Sequence, residues 1–256
     1  MKLLPRRLRH GEEATLVEHL GELRARLVIC IVAVTLAFAV TYAFHGRLLT
    51  WLNAPLPADK TPPVTFGVLE PFTMSIMISF YAALLIALPI VFWQVWAFLA
   101  PAFEEHHQRS VGVLVVFAAA LSVAGVAFGY FVILPPAVHF LTGYDSQHYD
   151  ILIRARDYYS FTSLLLLAVA LAFELPVFVL GLVRLRIVSA AKLRSGWRVG
   201  VFAMVVLGVL LPGVDPVSTA LSCLVLVSLY GLSIGLASFF EPRWHTSRPT
   251  EAATDV

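Results

Sequence analysis

The chain has 256 residues, of which 59% are hydrophobic and only 13% are charged, and its mean hydropathy is +0.85. Soluble globular chains contain about 25% charged residues, so this composition excludes an ordinary soluble domain and indicates an integral membrane protein. The formal net charge of +2 is too small to indicate a nucleic-acid-binding protein. Cys30 and Cys223 each lie in an apolar run, where we expect small, packed or lipid-buried side chains.

Apolar runs predict an all-α membrane protein, because a spanning helix needs about 20 consecutive apolar residues. The last run, 199–240, is too long for one helix, and the proline- and glycine-containing segment 212–216 predicts a tight hairpin that divides it. Six spans are therefore predicted, at about 27–44, 71–100, 110–138, 158–183, 197–211 and 217–240. They form one membrane domain over 15–240, between an N-terminal segment, 1–14, and a tail, 241–256, that we expect to be disordered.

Lys and Arg are distributed unevenly among the predicted loops. Six precede Leu27, one lies in 104–109, five lie in 184–198 and two in the tail, whereas the intervening loops contain four. Because cytoplasmic loops are enriched in Lys and Arg, both termini are predicted to be cytoplasmic. The first apolar run is long and has no small-residue cleavage site after it, so we interpret it as a retained anchor. Pro135 and Pro136 predict a bent or terminated third span.

An amphipathic helix is predicted ahead of the first span, over 15–27. Thr15 and Glu18 have the spacing of a capping box, and leucines form a stripe on one face. Glu22 precedes Arg26 by four residues, a spacing that favours an ion pair. Two interpretations stay open: a membrane-surface helix with a solvated charged face, or a site at which Glu22 binds a cation.

Acidic residues follow the aromatic end of the second span. The aromatic residues are typical of a membrane anchor, but Glu104 and Glu105 stand in a short loop where Lys and Arg are usual. Their carboxylates can accept paired hydrogen bonds from guanidinium groups. His106 and His107 have no further ligand cluster near them and do not indicate a metal site.

Glu174 is the only charged residue between Asp157 and Arg184. A lone carboxylate at mid-membrane costs roughly 2.5 to 3.5 kcal/mol even on lenient insertion scales. Pro176 follows two residues later and frees a carbonyl of the preceding turn. Either a neutral Glu174 carboxyl satisfies that carbonyl, or the side chain faces a wet concavity and receives a polar partner. Its distance from the start of the span places it in the cytoplasmic half.

Several segments together resemble the TatC subunit of the twin-arginine protein translocase. They occur in the same order over about 16–240 and are LVEHLGELRARL, EPFTMSIMISFYAALLIALPIVFWQVWAFLAPAF, AFGYFVILPPAVHFL and IRARDYYSFTSLLLLAVALAFELPVF. The resemblance implies a concave six-helix bundle in the cytoplasmic membrane, with short fifth and sixth spans. It also implies a receptor for folded proteins with twin-arginine signal peptides, which self-associates and recruits single-span TatA and TatB partners. Such transport uses the proton-motive force, without nucleotide or another cofactor.

The resemblance also implies roles for individual residues. The implied signal-peptide-binding residues are Glu22, Arg24, Phe98, Glu104, Glu105 and His107. Glu22 and Arg24 belong to the ELR motif and Phe98 to the WAF segment. The usual Lys-His-Glu triplet falls on 105–107, so His107 stands where a carboxylate is usual. We expect Glu105, together with Glu104, to supply the missing negative charge.

Three polar residues match recurring intramembrane positions of the family and are candidate partner contacts: Glu174 in AFELP, Tyr130 and Asp215. Asp215 has an alternative structural role, because an aspartate just before Pro216 can cap the last helix. Thr219 stands where the family often has a glutamine, which is a departure from the pattern on that helix.

Two other classes of function compete with a translocase. A proton-coupled solute transporter would use Glu174 as its titrating group, but no internal repeat supports that class. An intramembrane enzyme is disfavoured because HExxH, GxSG and paired intramembrane aspartates are missing from the sequence. We therefore predict a protein-transport subunit and no enzymatic activity.

Overall fold

The computed structural model describes residues 16–99, 109–184, 187–213 and 215–245, and most of them are helical. Five described segments are long and apolar enough to cross a membrane: His19–Ala43, Glu70–Phe98, Val116–Gly143, Ala155–Arg184 and Pro216–Glu241. A sixth apolar helix, Trp197–Leu210, is shorter. The predicted all-α architecture with a short fifth span is confirmed.

Helix α1 (Leu16–Ala43) is one continuous element of 28 residues. No break separates the amphipathic helix predicted over 15–27 from the first span, because 22–27 contains only Glu, Leu, Arg and Ala, which are strong helix formers. Helix α1 packs mainly against α3 (Glu70–Leu99). Thr15 lies outside the described residues, so the capping box stays a prediction.

A short helix that the sequence analysis did not predict, α2 (His45–Asn53), lies between α1 and α3. Its residues Leu48, Leu49 and Leu52 pack into a core that also contains residues of α3 and of the later helices. A single 3₁₀ turn, Ala58–Lys60, follows it. The segment predicted as a plain loop is therefore built into the bundle.

The third span contains a local change of helix type. Helix α4 (Arg109–Phe128) continues through a π-helical turn, Gly129–Ile133, into α5 (Leu134–Gly143). The N–H of Leu134 bonds to the carbonyl of Gly129, five residues earlier. Pro135 and Pro136 thus fall in the first turn of α5, where a missing N–H is tolerated. The two prolines do not end the span at 138.

The second half of the chain contains one broken span and one hairpin. Helices α6 (Ala155–Ala172) and α7 (Leu175–Arg184) are separated at Phe173 and Glu174. Helix α8 (Ala190–Ser195) then leads into α9 (Trp197–Leu210). The 14 residues of α9 cover about 21 Å, less than a hydrocarbon core of about 30 Å.

The last helix, α10 (Pro216–His245), has 30 residues. The prediction that the sixth span is short is therefore wrong, because no proline interrupts 217–241. Helix α10 continues to His245, five residues into the segment predicted as a tail. Residues 246–256 lie outside the described part of the chain.

Small residues bring two helix pairs close together. A Cβ added to Gly125 of α4 would lie 2.8 Å from the Cα of Ala170 on α6. A Cβ added to Gly208 of α9 would lie 2.6 Å from the sulfur of Cys223 on α10. Close approach at small residues is a common way for helices to associate in a membrane. Cys223 accordingly packs in a helix contact.

The bundle has two chemically different ends. The α2 end comprises α2 and the segments 54–69 and 144–154. The Glu22 end lies at the opposite side, where α1 begins and α3 finishes. Since α6 begins at the α2 end, Glu174 lies in the half of its span nearer the Glu22 end.

Candidate functional site

Glu22 lies in the seam between α1 and α3 and already binds a guanidinium group. Its Oε1 accepts hydrogen bonds from Arg26 Nε at 3.0 Å and from Arg26 Nη2 at 2.5 Å. Only 13% of the Glu22 side chain and 19% of the Arg26 side chain are exposed. The pair predicted from the four-residue spacing is confirmed, and it is mostly shielded from solvent.

Two contacts connect this part of α1 with α3. Arg26 Nη1 donates to Gln94 Oε1 at 3.4 Å, and the rings of His19 and Phe98 stack with centroids 4.5 Å apart. Because His19 and Glu22 are three residues apart on one helix face, Phe98 and Glu22 share the same seam. Gln94 was missed from the sequence, although an amide in an otherwise apolar helix was an available signal.

The other predicted signal-binding residues do not join this cluster in the described structure. Arg24 is exposed and makes no side-chain hydrogen bond or ion pair with the described residues. Glu104, Glu105 and His107 lie in 100–108, outside the residues that the structure describes. Their roles stay predictions.

Glu174 lies at the break between α6 and α7 and is only 5% exposed. The Ser122 hydroxyl of α4 donates to its Oε1 at 2.5 Å. Its Oε2 has no hydrogen-bond partner among the described residues. The interpretation that Glu174 satisfies a carbonyl freed by Pro176 is wrong, because its bonded partner is a serine hydroxyl on another helix. In the isolated chain the side chain is buried rather than facing an open concavity.

Three tyrosine hydroxyls bond to the last turn of α2. Tyr130 donates to the carbonyl of Trp51 at 2.7 Å, and Tyr158 donates to the carbonyl of Leu52 at 2.5 Å. Tyr159 donates to the side-chain oxygen of Asn53 at 2.8 Å. The last carbonyls of a helix lack donors within that helix, and the hydroxyls of Tyr130 and Tyr158 donate to two such carbonyls of α2. The structure thus gives Tyr130 a partner within the chain, at the α2 end.

An ion pair that the sequence analysis missed joins two segments of the α2 end. Glu70 Oε2 accepts bonds from the backbone N–H groups of Phe66 and Gly67, at 2.8 and 3.2 Å. Its Oε1 accepts from Arg154 Nε at 3.0 Å. Backbone hydrogen bonds of Val64 with 153 and 155 connect the same two segments. Glu70, Arg154 and the Phe66–Gly67 segment border a cleft of about 560 Å³.

Asp215 is 2% exposed and caps α10. Its Oδ2 accepts from the N–H of Ser218 at 2.7 Å, and its Oδ1 accepts from the Ser218 hydroxyl at 2.5 Å. This is the helix-capping alternative considered from the sequence. Gly213 fits beside the same turn, since a Cβ there would lie 2.7 Å from the Ser218 hydroxyl oxygen.

The structure does not gather the predicted polar residues into one centre. Glu22, Glu174 and Asp215 each bond to a different partner, Arg26, Ser122 and Ser218. Within the described residues, no group of three or more His, Cys, Asp or Glu side chains is arranged to hold a metal ion. Two clusters among the described residues combine a shielded acid, a guanidinium and an aromatic ring. One is in the α1–α3 seam, with Glu22, Arg26 and the ring of Phe98; the other is at the α2 end, with Glu70, Arg154 and Phe66.

Comparison with known proteins agrees with this architecture. The family model described as Sec-independent protein translocase protein (TatC) matches residues 18–224. A TatC protein of Helicobacter pylori is 30% identical over 224 residues, covering 88% of this chain and 89% of the relative. A chloroplastic TATC protein of Arabidopsis thaliana is 33% identical over 234 residues, covering 89% of this chain and 68% of the relative.

Solved structures lead to the same family. A crystal structure described as the twin arginine translocase receptor TatC in DDM superposes with a TM-score of 0.77 at 28% sequence identity. The match covers 86% of this chain and 99% of that one. The chain therefore belongs to the TatC family of Sec-independent protein translocase proteins.

Proposed function

We propose that this protein is the core membrane subunit of a Tat translocase and that its Glu22 end binds twin-arginine signal peptides of folded precursors. One observation carries the proposal: in a chain of the TatC family, the partly buried Glu22 carboxylate binds a guanidinium beside Phe98. Arginine is always charged and its planar donors match a carboxylate, whereas lysine presents a single ammonium group.

The proposed orientation has both termini in the cytoplasm, as the distribution of Lys and Arg favours. The Glu22 end then faces the cytoplasm, where precursors are made. Glu104 and Glu105 follow the end of α3 by five and six residues in the chain, so they would supply a second acidic group near Phe98 despite His107. Arg24 would contribute to the same recognition surface.

Single-span TatA- and TatB-type subunits are the proposed membrane partners, together with further copies of this chain and the surrounding lipid. The Oε2 of Glu174 has no hydrogen-bond partner within the described ranges, which supports a polar contact with such a subunit, because a buried carboxylate oxygen without a hydrogen bond is costly. Tyr130 and Asp215 would support this surface indirectly, since both already have partners within the chain. Transport would use the proton-motive force.

Site-specific crosslinking of a twin-arginine precursor to the full-length protein in membrane vesicles tests the signal site. Glu22→Gln should reduce crosslinking at least tenfold, and the double variant Glu104→Ala/Glu105→Ala should abolish it. Asp157→Asn is the matched control, because it removes an exposed carboxylate at the opposite end. Undiminished crosslinking in both acidic variants would refute the proposed site.

Replacement of Glu174 tests the partner contact separately. Glu174→Ala should impair co-purification of TatB-type subunits while signal crosslinking persists. Glu174→Gln keeps an acceptor for Ser122 and should assemble better than the alanine variant. If both variants assemble and transport like the unmodified protein, the functional role of Glu174 is wrong.

A further inference from the structure

Arg26 occupies the carboxylate that the proposed function assigns to the signal peptide. Both of its bonds to Glu22 converge on Oε1. No described residue donates a hydrogen bond to Oε2. A third donor of the same guanidinium, Nη1, is bonded to Gln94 on α3. The seam therefore already contains an internal version of the interaction that a signal arginine would make.

We propose that Arg26 is an internal placeholder for the signal-peptide guanidinium and is displaced from Glu22 when the signal binds. This inference rests on the proposed function of Glu22. In the empty receptor, Arg26 pairs with the Glu22 carboxylate, so the acid has a bonded guanidinium while no signal is present. On binding, a signal arginine takes its place on Glu22.

Gln94 makes this exchange feasible. Arg26 has a second acceptor on another helix, so its guanidinium keeps a hydrogen bond after it leaves Glu22. The Glu22 Oε2, to which no described residue donates, gives an incoming guanidinium a first point of attachment before Oε1 is released. The exchange thus replaces one charged pair with another and leaves no bare carboxylate at any step.

A placeholder also sets a threshold for every ligand of Glu22. Arg26 lies on the same helix as Glu22 and competes at high effective concentration. A competitor for one site lowers the apparent affinity of each ligand of that site by the same factor, so Arg26 should weaken the binding of twin-arginine and twin-lysine signals equally. Preference for the twin-arginine signal comes from the paired bonds that a guanidinium forms with Glu22 and an ammonium cannot form.

The opposing interpretation is that Arg26 only links α1 to α3 and holds Glu22 in position. The two roles predict opposite changes in signal-peptide affinity when Arg26 is replaced. Removing a competitor strengthens signal binding, whereas removing a positioning group weakens it. An ion pair between residues four apart on one helix face changes an equilibrium by a factor of roughly two to five, which sets the size of the expected gain in signal-peptide affinity.

Binding of a fluorescent twin-arginine peptide to the full-length protein in lipid nanodiscs tests the proposal. Arg26→Gln should tighten binding roughly two- to fivefold, and Arg26→Lys should tighten it less because the charge remains. Gln94→Leu should weaken binding with no change in net charge, because the displaced Arg26 guanidinium loses its second acceptor. Arg26→Gln should also improve binding of a twin-lysine peptide by the same factor as binding of the twin-arginine peptide, as expected when a competitor for one site is removed.

The Glu22→Gln background separates displacement from a general effect of charge. There, adding Arg26→Gln should leave the affinity unchanged, because no carboxylate remains to be occupied. An equal gain in both backgrounds, or unchanged or weaker binding by folded Arg26→Gln, would overturn the placeholder role while leaving the Glu22 site intact. If Glu22→Gln alone binds like the unmodified protein, the proposed site fails and the placeholder with it.

Discussion

The α2 end and the Glu22 end use hydrogen bonds in opposite ways. At the α2 end, bonds join residues far apart in the chain: Tyr130 and Trp51 are 79 residues apart, Glu70 and Arg154 are 84 apart, and Tyr158 and Leu52 are 106 apart. At the Glu22 end, the main ion pair joins residues four apart on one helix. The bonds of the α2 end hold distant segments together, whereas the pair of Glu22 with Arg26 can be exchanged for another pair without unfolding a helix.

This difference indicates that the α2 end contributes mainly to stability and the Glu22 end mainly to ligand binding. The α2 end fixes how the helices emerge from their connecting segments, so losing one of its bonds should cost stability. The helix backbone around Glu22 does not depend on the Arg26 pair, so losing that pair should change ligand binding more than stability. Three substitutions test this comparison, from the largest expected effect on stability to the smallest.

Glu70→Ala should cause the largest loss of thermal stability of the three. It leaves the Phe66 and Gly67 N–H groups and the Arg154 guanidinium without their shared acceptor. Thermal unfolding of the full-length protein in detergent measures the effect. Asp59→Ala, at an exposed position of the same end, is the control and should behave like the unmodified protein. An unchanged melting temperature for Glu70→Ala would remove the basis of the comparison.

Tyr158→Phe should destabilise the protein by about 1–2 kcal/mol, because it leaves the buried carbonyl of Leu52 without a donor. The ring and its packing are retained, so the change isolates the hydroxyl. Tyr144→Phe is the matched control, since Tyr144 is exposed and its hydroxyl makes no described hydrogen bond. Equal melting temperatures for the two variants would show that the tyrosines do not brace α2.

Arg26→Gln should change the free energy of unfolding by less than about 0.5 kcal/mol, the usual worth of an ion pair four residues apart on a helix. The same denaturation series measures it. A loss as large as that of Tyr158→Phe would mean that the Glu22 end is also held together by its charged pair, and the contrast between the ends would disappear.

Local patterns predicted the features that depend on neighbouring residues. The turn at 212–216 and the pair of Glu22 with Arg26 both follow from residues within four or five positions of one another. The cap formed by Asp215 was one of two alternatives for the same reason. The resemblance to the TatC family supplied the predicted function and the expectation that Glu22 and Phe98 belong to a binding site.

The features that the sequence did not reveal depend on distant residues. No local pattern pairs Glu70 with Arg154 or aims Tyr130 and Tyr158 at α2. Ser122 is one of several hydroxyl residues in apolar helices, and only the packing of α4 against α6 brings it to Glu174. The short sixth span was implied by the resemblance, whereas the apolar run 217–240 by itself predicted a longer arm, which α10 confirms.

The assignment of signal binding to the Glu22 end is tested most directly by the affinity of the full-length protein in nanodiscs for a twin-arginine signal peptide. This affinity is measured side by side for the single variants Glu22→Gln and Tyr158→Phe. We predict that Glu22→Gln loses at least tenfold in affinity and that folded Tyr158→Phe binds like the unmodified protein. Unmodified affinity in Glu22→Gln, or a comparable loss of affinity in folded Tyr158→Phe, would contradict the assignment of signal binding to the Glu22 end.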